Sequence, residues 1–242
     1  MDGTSIALRL LPAPGHALIF VMGLLLLVGM TGARAQTPPS PSEIAAYTGL
    51  HKAVAAGDLA ETAKLIATRP DLEARDGNGR TPLHVAAFVS NQPIAQALVK
   101  AGANPKALDN QRYDIITIAA VKDDPAFMRL AISLGGDPKA ITSPYEGTAL
   151  IAAAHLGHDE VVRDLIAAKA PLDHVNNLGW TALIEAVILG DGGKRHIAVV
   201  EALVKAGANP NIADRSGVTP LRHAMQRGYG PMVEILKKAG GT

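Results

Sequence analysis

The chain has 242 residues, of which 48% are hydrophobic, 3% aromatic and 19% charged, and its formal net charge is +1 at pH 7. This apolar content is enough for a sizeable core, and the shortage of aromatic residues leaves Ala and Leu to fill it. The chain contains no cysteine, which excludes disulfide bonds and thiol nucleophiles.

Residues 1–35 have the pattern of a secretory signal. Arg9 supplies a weak basic region, residues 17–30 are almost wholly apolar, and Ala33-Arg34-Ala35 fits a cleavage site before Gln36. The apolar run is shorter than the about 20 residues that span a bilayer, and an uncleaved N-terminal anchor is the alternative. We therefore expect a periplasmic or secreted protein of the bacterial envelope, or one anchored in the inner membrane with its repeats in the periplasm.

Residues 36–42 are rich in Pro and Ser and are expected to form a polar linker. Without residues 1–35 the chain loses two of its 23 basic and one of its 22 acidic residues, so that it becomes neutral. A general nucleic-acid or membrane-surface binder would need a cationic excess, and the composition argues against both.

From residue 43 onward the sequence repeats itself. Thr81-Pro82-Leu83-His84 opens one unit, Ala101-Gly102-Ala103-Asn104-Pro105 closes it, and Thr219-Pro220-Leu221 opens a later unit. The aligned opening positions are Thr48, Thr81, Asp114, Thr148, Thr181 and Thr219, in steps of 33, 33, 34, 33 and 38 residues. A fixed period of this length indicates stacked units, because one unit cannot bury its own apolar face.

Residues 76–108 show how one unit folds. Asp76-Gly77-Asn78-Gly79 is a turn sequence, and Thr81 before Pro82 is typical of a helix start. Ser90-Asn91-Gln92 ends this first helix, Pro93 begins a second one, and Gly102 fits its left-handed cap. Each unit is thus predicted to be a turn followed by two antiparallel helices.

These residues resemble the ankyrin repeat, with its T-P-L-H opening, Gly-His turn and A-G-A-(D/N) ending. The resemblance implies an all-α solenoid of stacked helix-loop-helix units with short β-hairpin or turn fingers at one edge and the first helices along a concave face. It assigns residues 43–242 to one ankyrin-repeat domain, with units 43–75, 76–108, 109–142, 143–175, 176–213 and 214–242.

The units depart from the pattern at several places. Asp114 replaces Thr, and Lys169 stands where the closing Gly is expected, so that this helix end should close differently. Five extra residues, Asp191 to Arg195, separate the helices of the fifth unit. The last unit has no obvious polar cap, which leaves the C-terminal face open to docking or self-association.

Sites for chemistry are not evident in the sequence. His51 and His84 share a repeat position, which favours a structural role, and His155 and His158 lack a third metal ligand. The run from Gly190 to Lys194 fails the phosphate-loop pattern and is interpreted as a flexible solvated loop. We predict no catalytic residue, no cofactor and no metal.

The resemblance to ankyrin repeats implies that a partner protein is bound by the finger tips and by the outward residues of the first helices. Aromatic and Arg residues dominate binding hot spots, and several occur there. The predicted partner-binding residues are Asn78, Arg80, Phe88, Val89, Arg112, Tyr113, Lys122, Tyr145, Leu156, Trp180, Leu189, Arg215 and Arg227.

The leading functional hypothesis is therefore a non-enzymatic, exported protein that binds a protein partner of unknown identity. One alternative is an inhibitor or escort of an exported enzyme. Another is a structural protein that self-assembles through its C-terminal unit. Contact with a membrane is expected only through residues 1–35.

Overall fold

A helix follows each of the six predicted opening positions. The computed structural model describes residues 36–242, so the predicted signal or anchor at residues 1–35 lies outside the described residues. After α1 (Pro41–Ala46), the first helices of the units are α2 (Gly49–Ala55), α4 (Pro82–Phe88), α6 (Ile115–Lys122), α8 (Ala149–Leu156), α10 (Ala182–Ile188) and α12 (Pro220–Gln226). The second helices are α3 (Leu59–Ala67), α5 (Gln92–Ala101), α7 (Pro125–Ser133), α9 (Asp159–Ala167), α11 (Lys194–Lys205) and α13 (Gly230–Lys238).

Five of the six opening residues cap these helices with their side chains, and Thr48 makes no such bond. The Thr81 hydroxyl accepts a hydrogen bond from the His84 backbone N–H, and Thr148, Thr181 and Thr219 cap their helices in the same way. Asp114 serves equally well, because its Oδ1 accepts from the Thr117 backbone N–H at 2.8 Å. An oxygen at this position satisfies a backbone donor that the helix itself leaves free, so the change from Thr to Asp preserves the start of α6.

The core is one continuous apolar seam between successive units. Each first helix packs on the first helices before and after it, and the second helices stack likewise except α5 and α7, which make little contact with each other. Leu83, Leu150 and Leu183 share one repeat position and are at most 1% exposed. This arrangement confirms the predicted solenoid, since no unit buries these side chains without its neighbours.

The compact unit of repeats begins before residue 43. It extends from Pro38 to Thr242, and α1 already starts at Pro41. The Ser40 hydroxyl accepts from the Glu43 N–H while the Glu43 carboxylate accepts from the Ser40 N–H, which is a complete capping box. The predicted linker at residues 36–42 is therefore too long at its C-terminal end, because residues 41–42 are helical.

Helix α9 ends as its neighbours do, contrary to the expectation for Lys169. This residue has φ +65°, and the N–H of Ala170 bonds the Leu165 carbonyl oxygen at 3.0 Å. Ala208 makes the same bond to Leu203, also at 3.0 Å, after Gly207 with φ +98°. The hydrogen bonds that close the helix thus hold Lys169 in the left-handed conformation in spite of its side chain.

The C-terminal face carries a partial polar cap that the sequence analysis missed. Arg222 is exposed at the repeat position where Ile184 of the preceding unit is fully buried. Met225 occupies the position of the fully buried Val187 and is 57% exposed. The face thus presents a charge beside an apolar side chain.

Candidate partner-binding surface

Five turns, which we call the fingers, precede the first helices α4 to α12. They comprise residues 75–80, 108–113, 142–147, 175–180 and 213–218. Within the described residues the fingers contain no strand, and one isolated β-bridge joins Thr142 and Gly147.

Each finger is closed by the side chain of its second residue. The Asp76 carboxylate accepts hydrogen bonds from the backbone N–H groups of Asn78 and Arg80, both at 2.9 Å. Asp109, Asn176 and Asp214 do the same in their fingers. These side-chain oxygens stabilise the turn, so they point inward and leave the tips to other residues.

Successive fingers are joined by a ladder of backbone hydrogen bonds. The Asn110 N–H donates to the Asn78 carbonyl oxygen at 3.0 Å, and Asn177 N–H donates to Tyr145 at 2.9 Å. Ser143 N–H donates to the Arg112 carbonyl oxygen at 3.1 Å. The last step differs, because the Arg215 guanidinium donates to the Asn177 carbonyl oxygen. The ladder fixes the spacing of the tips along the edge.

The left-handed position of the fingers is occupied by different residues. Gly79, Gly179 and Gly217 have φ values of +74°, +85° and +73° there. Arg112 and Glu146 stand at the same position with φ +63° and +54°. A side chain costs about 1–2 kcal/mol in this conformation, so two tips display a charged group at an energetic cost.

Arg80 ties the first finger to the N-terminal helix. Its Nε lies 2.7 Å from Asp76 Oδ2, and its Nη2 also bonds Glu43. The Tyr47 hydroxyl donates to Asp76 Oδ2 at 2.6 Å. The Arg80 side chain is only 2% exposed, and this buried cluster holds α1 against the repeats.

The same cluster shifts the ionisation of its carboxyl groups. Burial raises the pKa of Asp76, but hydrogen bonds from Tyr47 and Arg80 outweigh this effect, so its pKa lies below the ordinary value. Hydrogen bonds from Ser40, assisted by the charge of Arg80, also lower the pKa of Glu43. Both carboxyl groups are therefore ionised at neutral pH.

Exposed apolar side chains collect at the C-terminal ends of the first helices. Val89 and Leu156 share a repeat position and are 39% and 41% exposed. Val121, Ile188 and Leu189 lie at the same or the preceding position and are partly buried. We call these five residues the apolar stripe. Because it crosses four units, it could cover an extended apolar partner segment.

Ten of the thirteen predicted partner-binding residues keep accessible surface. The exposed ones are Asn78, Val89, Arg112, Lys122, Leu156, Arg215 and Arg227. Tyr145, Trp180 and Leu189 are half-buried.

The other three predicted residues are buried. Phe88 and Tyr113 are each 7% exposed because they pack in the core. Arg80 is buried and forms ion pairs with the carboxylates of Asp76 and Glu43. Repeat position alone does not distinguish an outward side chain from one covered by the neighbouring finger. We therefore correct the prediction and remove Arg80, Phe88 and Tyr113 from the surface.

His51 and His84 have the structural role predicted for them. His51 Nε2 lies 2.9 Å from the Arg80 carbonyl oxygen, and His84 Nε2 lies 3.0 Å from that of Tyr113. Each ring thus joins its own first helix to the next finger. Burial lowers the pKa of His84, which keeps the ring neutral.

His155 and His158 contact different groups rather than a common centre. His158 Nδ1 lies 2.7 Å from the Ala120 carbonyl oxygen. His155 Nδ1 lies 3.1 Å from the buried carboxylate of Glu185, which also accepts from Asn176 Nδ2 at 3.0 Å. Over residues 36–242, no group of three or more His, Asp or Glu side chains is placed to hold a metal ion.

The insertion of the fifth unit is anchored on both sides, unlike the flexible loop we expected. The Tyr229 hydroxyl donates to the Gly190 carbonyl oxygen at 3.0 Å, and its ring covers Gly192. Arg195 forms ion pairs with Asp123 at 2.7 Å and Asp159 at 3.3 Å, in the two preceding units. The insertion therefore connects neighbouring units and has no phosphate-loop geometry.

Arg75 is an exposed residue of this surface that the predicted set does not include. It is the first residue of the first finger and donates hydrogen bonds to the carbonyl oxygens of Gly79 and Leu108. Its place directly before the turn residue Asp76 was the available signal.

None of the helices in the described part of the chain is long and apolar enough to cross a membrane.

Known proteins resemble the chain in sequence and in fold. The family model for ankyrin repeats (3 copies) matches residues 24–109 and 116–214. The ankyrin repeat protein YahD of Escherichia coli (strain K12) is 31% identical over 185 residues, which cover 76% of this chain and 92% of that protein.

Two solved structures extend the comparison. An ankyrin repeat domain from Acinetobacter baumannii AYE is 44% identical with a TM-score of 0.76, and the match covers 80% of this chain and 98% of that one. A chain from a complex of a predatory endopeptidase with an immunity protein, from Bdellovibrio bacteriovorus, is 26% identical with a TM-score of 0.67, over 79% of this chain and 98% of that one.

Proposed function

Since the chain belongs to the ankyrin-repeat family, we propose that it is a non-catalytic protein-protein interaction module of the cell envelope, which binds a partner protein through its concave helix face and fingers. Ankyrin repeats are protein-interaction modules. The observation that carries the proposal is the apolar stripe, which remains accessible beside fingers of fixed spacing. A preformed surface loses little conformational entropy when it binds.

The stripe is tested by a matched pair of variants. Leu156→Ala with Leu189→Ala removes two side chains of the stripe, and Leu59→Ala with Ile141→Ala removes exposed apolar side chains from α3 and from a loop before a finger. Pull-down from an envelope extract should recover the partner about tenfold less well with the first variant and unchanged with the second. Equal recovery by both variants, with the fold intact, would reject this surface.

The envelope location rests on the sequence of residues 1–35. Mass spectrometry of the protein purified from its native cells should find Gln36 at the N-terminus if the signal is cleaved. An intact N-terminus with the protein in the membrane fraction would support the anchored alternative. An intact N-terminus with the protein in the cytoplasm would refute export.

Inhibition of an exported enzyme is the second candidate function. The matched structure of an endopeptidase in complex with an immunity protein favours it. Addition of the purified chain to an envelope fraction should then lower peptidase activity, and the Leu156→Ala/Leu189→Ala variant should lower it less. Unchanged peptidase activity at saturating concentration, when a partner is nevertheless captured, would leave binding without inhibition.

A further inference from the structure

The exposed charges on the proposed binding side are nearly all positive. We define the cationic rim as the exposed cations of the fingers and of the C-terminal ends of the first helices. These residues are Arg75, Arg112, Lys122, Arg215 and Arg227. In the same segments of the described chain, Glu146 is the single exposed carboxylate. The segments therefore present a cationic surface although residues 36–242 together are neutral.

Apart from Glu146, the acidic residues of these elements are turned away from solvent by the fold. Asp76, Asp109 and Asp214 accept the hydrogen bonds that close their fingers, and Glu185 is buried beside Asn176. The turns need these oxygens, whereas the tip positions have no such requirement. The tips therefore carry the charge of their Arg side chains outward.

Arg112 is the most informative member of the rim. It holds a left-handed conformation where Gly79, Gly179 and Gly217 hold it in other fingers. Its guanidinium is exposed and makes no hydrogen bond or ion pair with any other described residue. The Arg112 side chain therefore raises the conformational energy of the fold and makes no contact that would offset this cost. Strained residues of this kind are found at functional sites.

We infer that the partner presents an acidic segment, in which carboxylates flank the apolar side chains that cover the apolar stripe. The inference rests on the proposed function and specifies the chemistry of its partner. Lys122 and Arg227 stand at the ends of first helices, at the repeat position of Val89, Leu156 and Leu189 in the stripe. An apolar centre with a complementary charged periphery is the usual organisation of a protein interface.

A nucleic acid fits the same surface less well. Phosphate-backbone binding needs closely spaced cations and a cationic excess, whereas the rim is interrupted by Glu146 and by the stripe. A protein segment can satisfy both the apolar residues and the charges. We therefore treat binding of a nucleic acid as an outcome of the test.

The experiment is a selection of 12-residue peptides from a random display library on the full-length chain. Peptides selected on the wild type should carry an excess of Asp and Glu around apolar residues. Arg112→Glu with Arg227→Glu should bind these peptides about tenfold more weakly and should itself select basic peptides. Lys100→Glu with Lys205→Glu makes the same charge change on second helices and should leave affinity and selection unchanged.

A second variant separates a binding role from a structural one. Arg112→Gly should relieve the left-handed strain and raise the melting temperature, while it weakens binding of the acidic peptides about threefold. Opposite changes in stability and affinity are expected only if the side chain serves the partner. Unchanged affinity would overturn the role of Arg112.

The outcomes distinguish this inference from the proposed function. Selected peptides that lose affinity in the Leu156→Ala/Leu189→Ala variant but show no acidic excess would overturn the inference alone. Peptides unaffected by that variant would count against the proposed surface itself. Duplex DNA that displaces the selected peptides at physiological salt would also overturn the inference.

Discussion

The Nε2 atom of His84 lies 3.0 Å from the carbonyl oxygen of Tyr113, one unit further along the chain. The Thr81 backbone N–H donates to Nδ1 of the same ring at 3.1 Å, so the neutral ring carries its proton on Nε2 and donates it to Tyr113. Protonation of Nδ1 would place two donors against each other in a buried site.

Stability should therefore depend on pH through His84. Burial lowers its pKa in the folded chain below the ordinary 6.5, so the unfolded chain binds the proton more tightly. The free energy of unfolding should fall as pH drops below about 6.5, by at most about 1.4 kcal/mol per pH unit. Urea unfolding between pH 7.5 and 5 measures this slope, and His84→Gln should reduce it. An equal slope in both proteins would contradict the assignment.

Gly79 and Gly217 provide a matched pair for the cost of finger contacts. Both have nearly the same positive φ, but a Cβ on Gly79 would lie 2.9 Å from the Asn110 backbone nitrogen, whereas none of the described atoms lies within 4 Å of one on Gly217. Gly217→Ala should lose about 1 kcal/mol from backbone strain, and Gly79→Ala at least about 1 kcal/mol more. Thermal unfolding of both variants measures the difference. Equal losses of stability would show that the second finger moves away from a Cβ at residue 79 without cost.

Lys169→Gly should stabilise the protein by about 1 kcal/mol. Glycine adopts the left-handed conformation at the end of α9 without steric cost, as Gly207 does at the end of α11. The reverse change, Gly207→Lys, should destabilise by a similar amount. Chemical denaturation of both variants measures the two effects, and a loss of stability in Lys169→Gly would refute the claim of strain.

Arg80→Met should release α1 from the first finger. The substitution leaves the buried Asp76 carboxylate without its cation, and we expect the free energy of unfolding to fall by about 3 kcal/mol. Arg129→Met, which breaks an exposed pair with Glu160 and Asp164, should leave the free energy of unfolding nearly unchanged. Hydrogen exchange over residues 40–56 should accelerate strongly in the first variant alone. Equal protection in both would show that α1 is held by other contacts.

Met225 tests the alternative of self-assembly through the last unit. Its exposed side chain and the adjacent Arg222 give an interface with few apolar contacts. If the C-terminal face joins two copies, Met225→Glu should shift the sedimentation coefficient from a dimer to a monomer at high concentration. Association that persists unchanged in this variant would place the contact elsewhere.

Local sequence patterns predicted the elements of the fold but not the long-range contacts. Thr81 and Pro82 identify a helix start because the capping atoms lie within one turn of the chain. The burial of Arg80 depends on Glu43, which lies 37 residues earlier, at the start of the first predicted unit. Similarly, Tyr229 anchors an insertion 39 residues before it, and no periodicity reports such a contact.

The sequence predicted where the candidate surface lies, but it predicted less well which side chains are exposed on it. The period placed Val89, Leu156 and Leu189 at equivalent sites, and all three keep accessible surface. The same period also placed Phe88 and Tyr113 on this surface, but both side chains are buried. Whether a side chain at such a site is covered depends on the size and direction of residues in adjacent units, which a single repeat does not contain.

The side-chain amides of Asn110 and Asn177 each donate one bond to the preceding finger, but the ladder itself is formed by the main-chain N–H groups of Asn110, Ser143 and Asn177. Every residue type except proline can donate such a bond. Individual tip residues can consequently be exchanged while the frame that carries them stays unchanged. Recognition can then diversify by single substitutions at one edge of the molecule, without a matching adjustment in its interior.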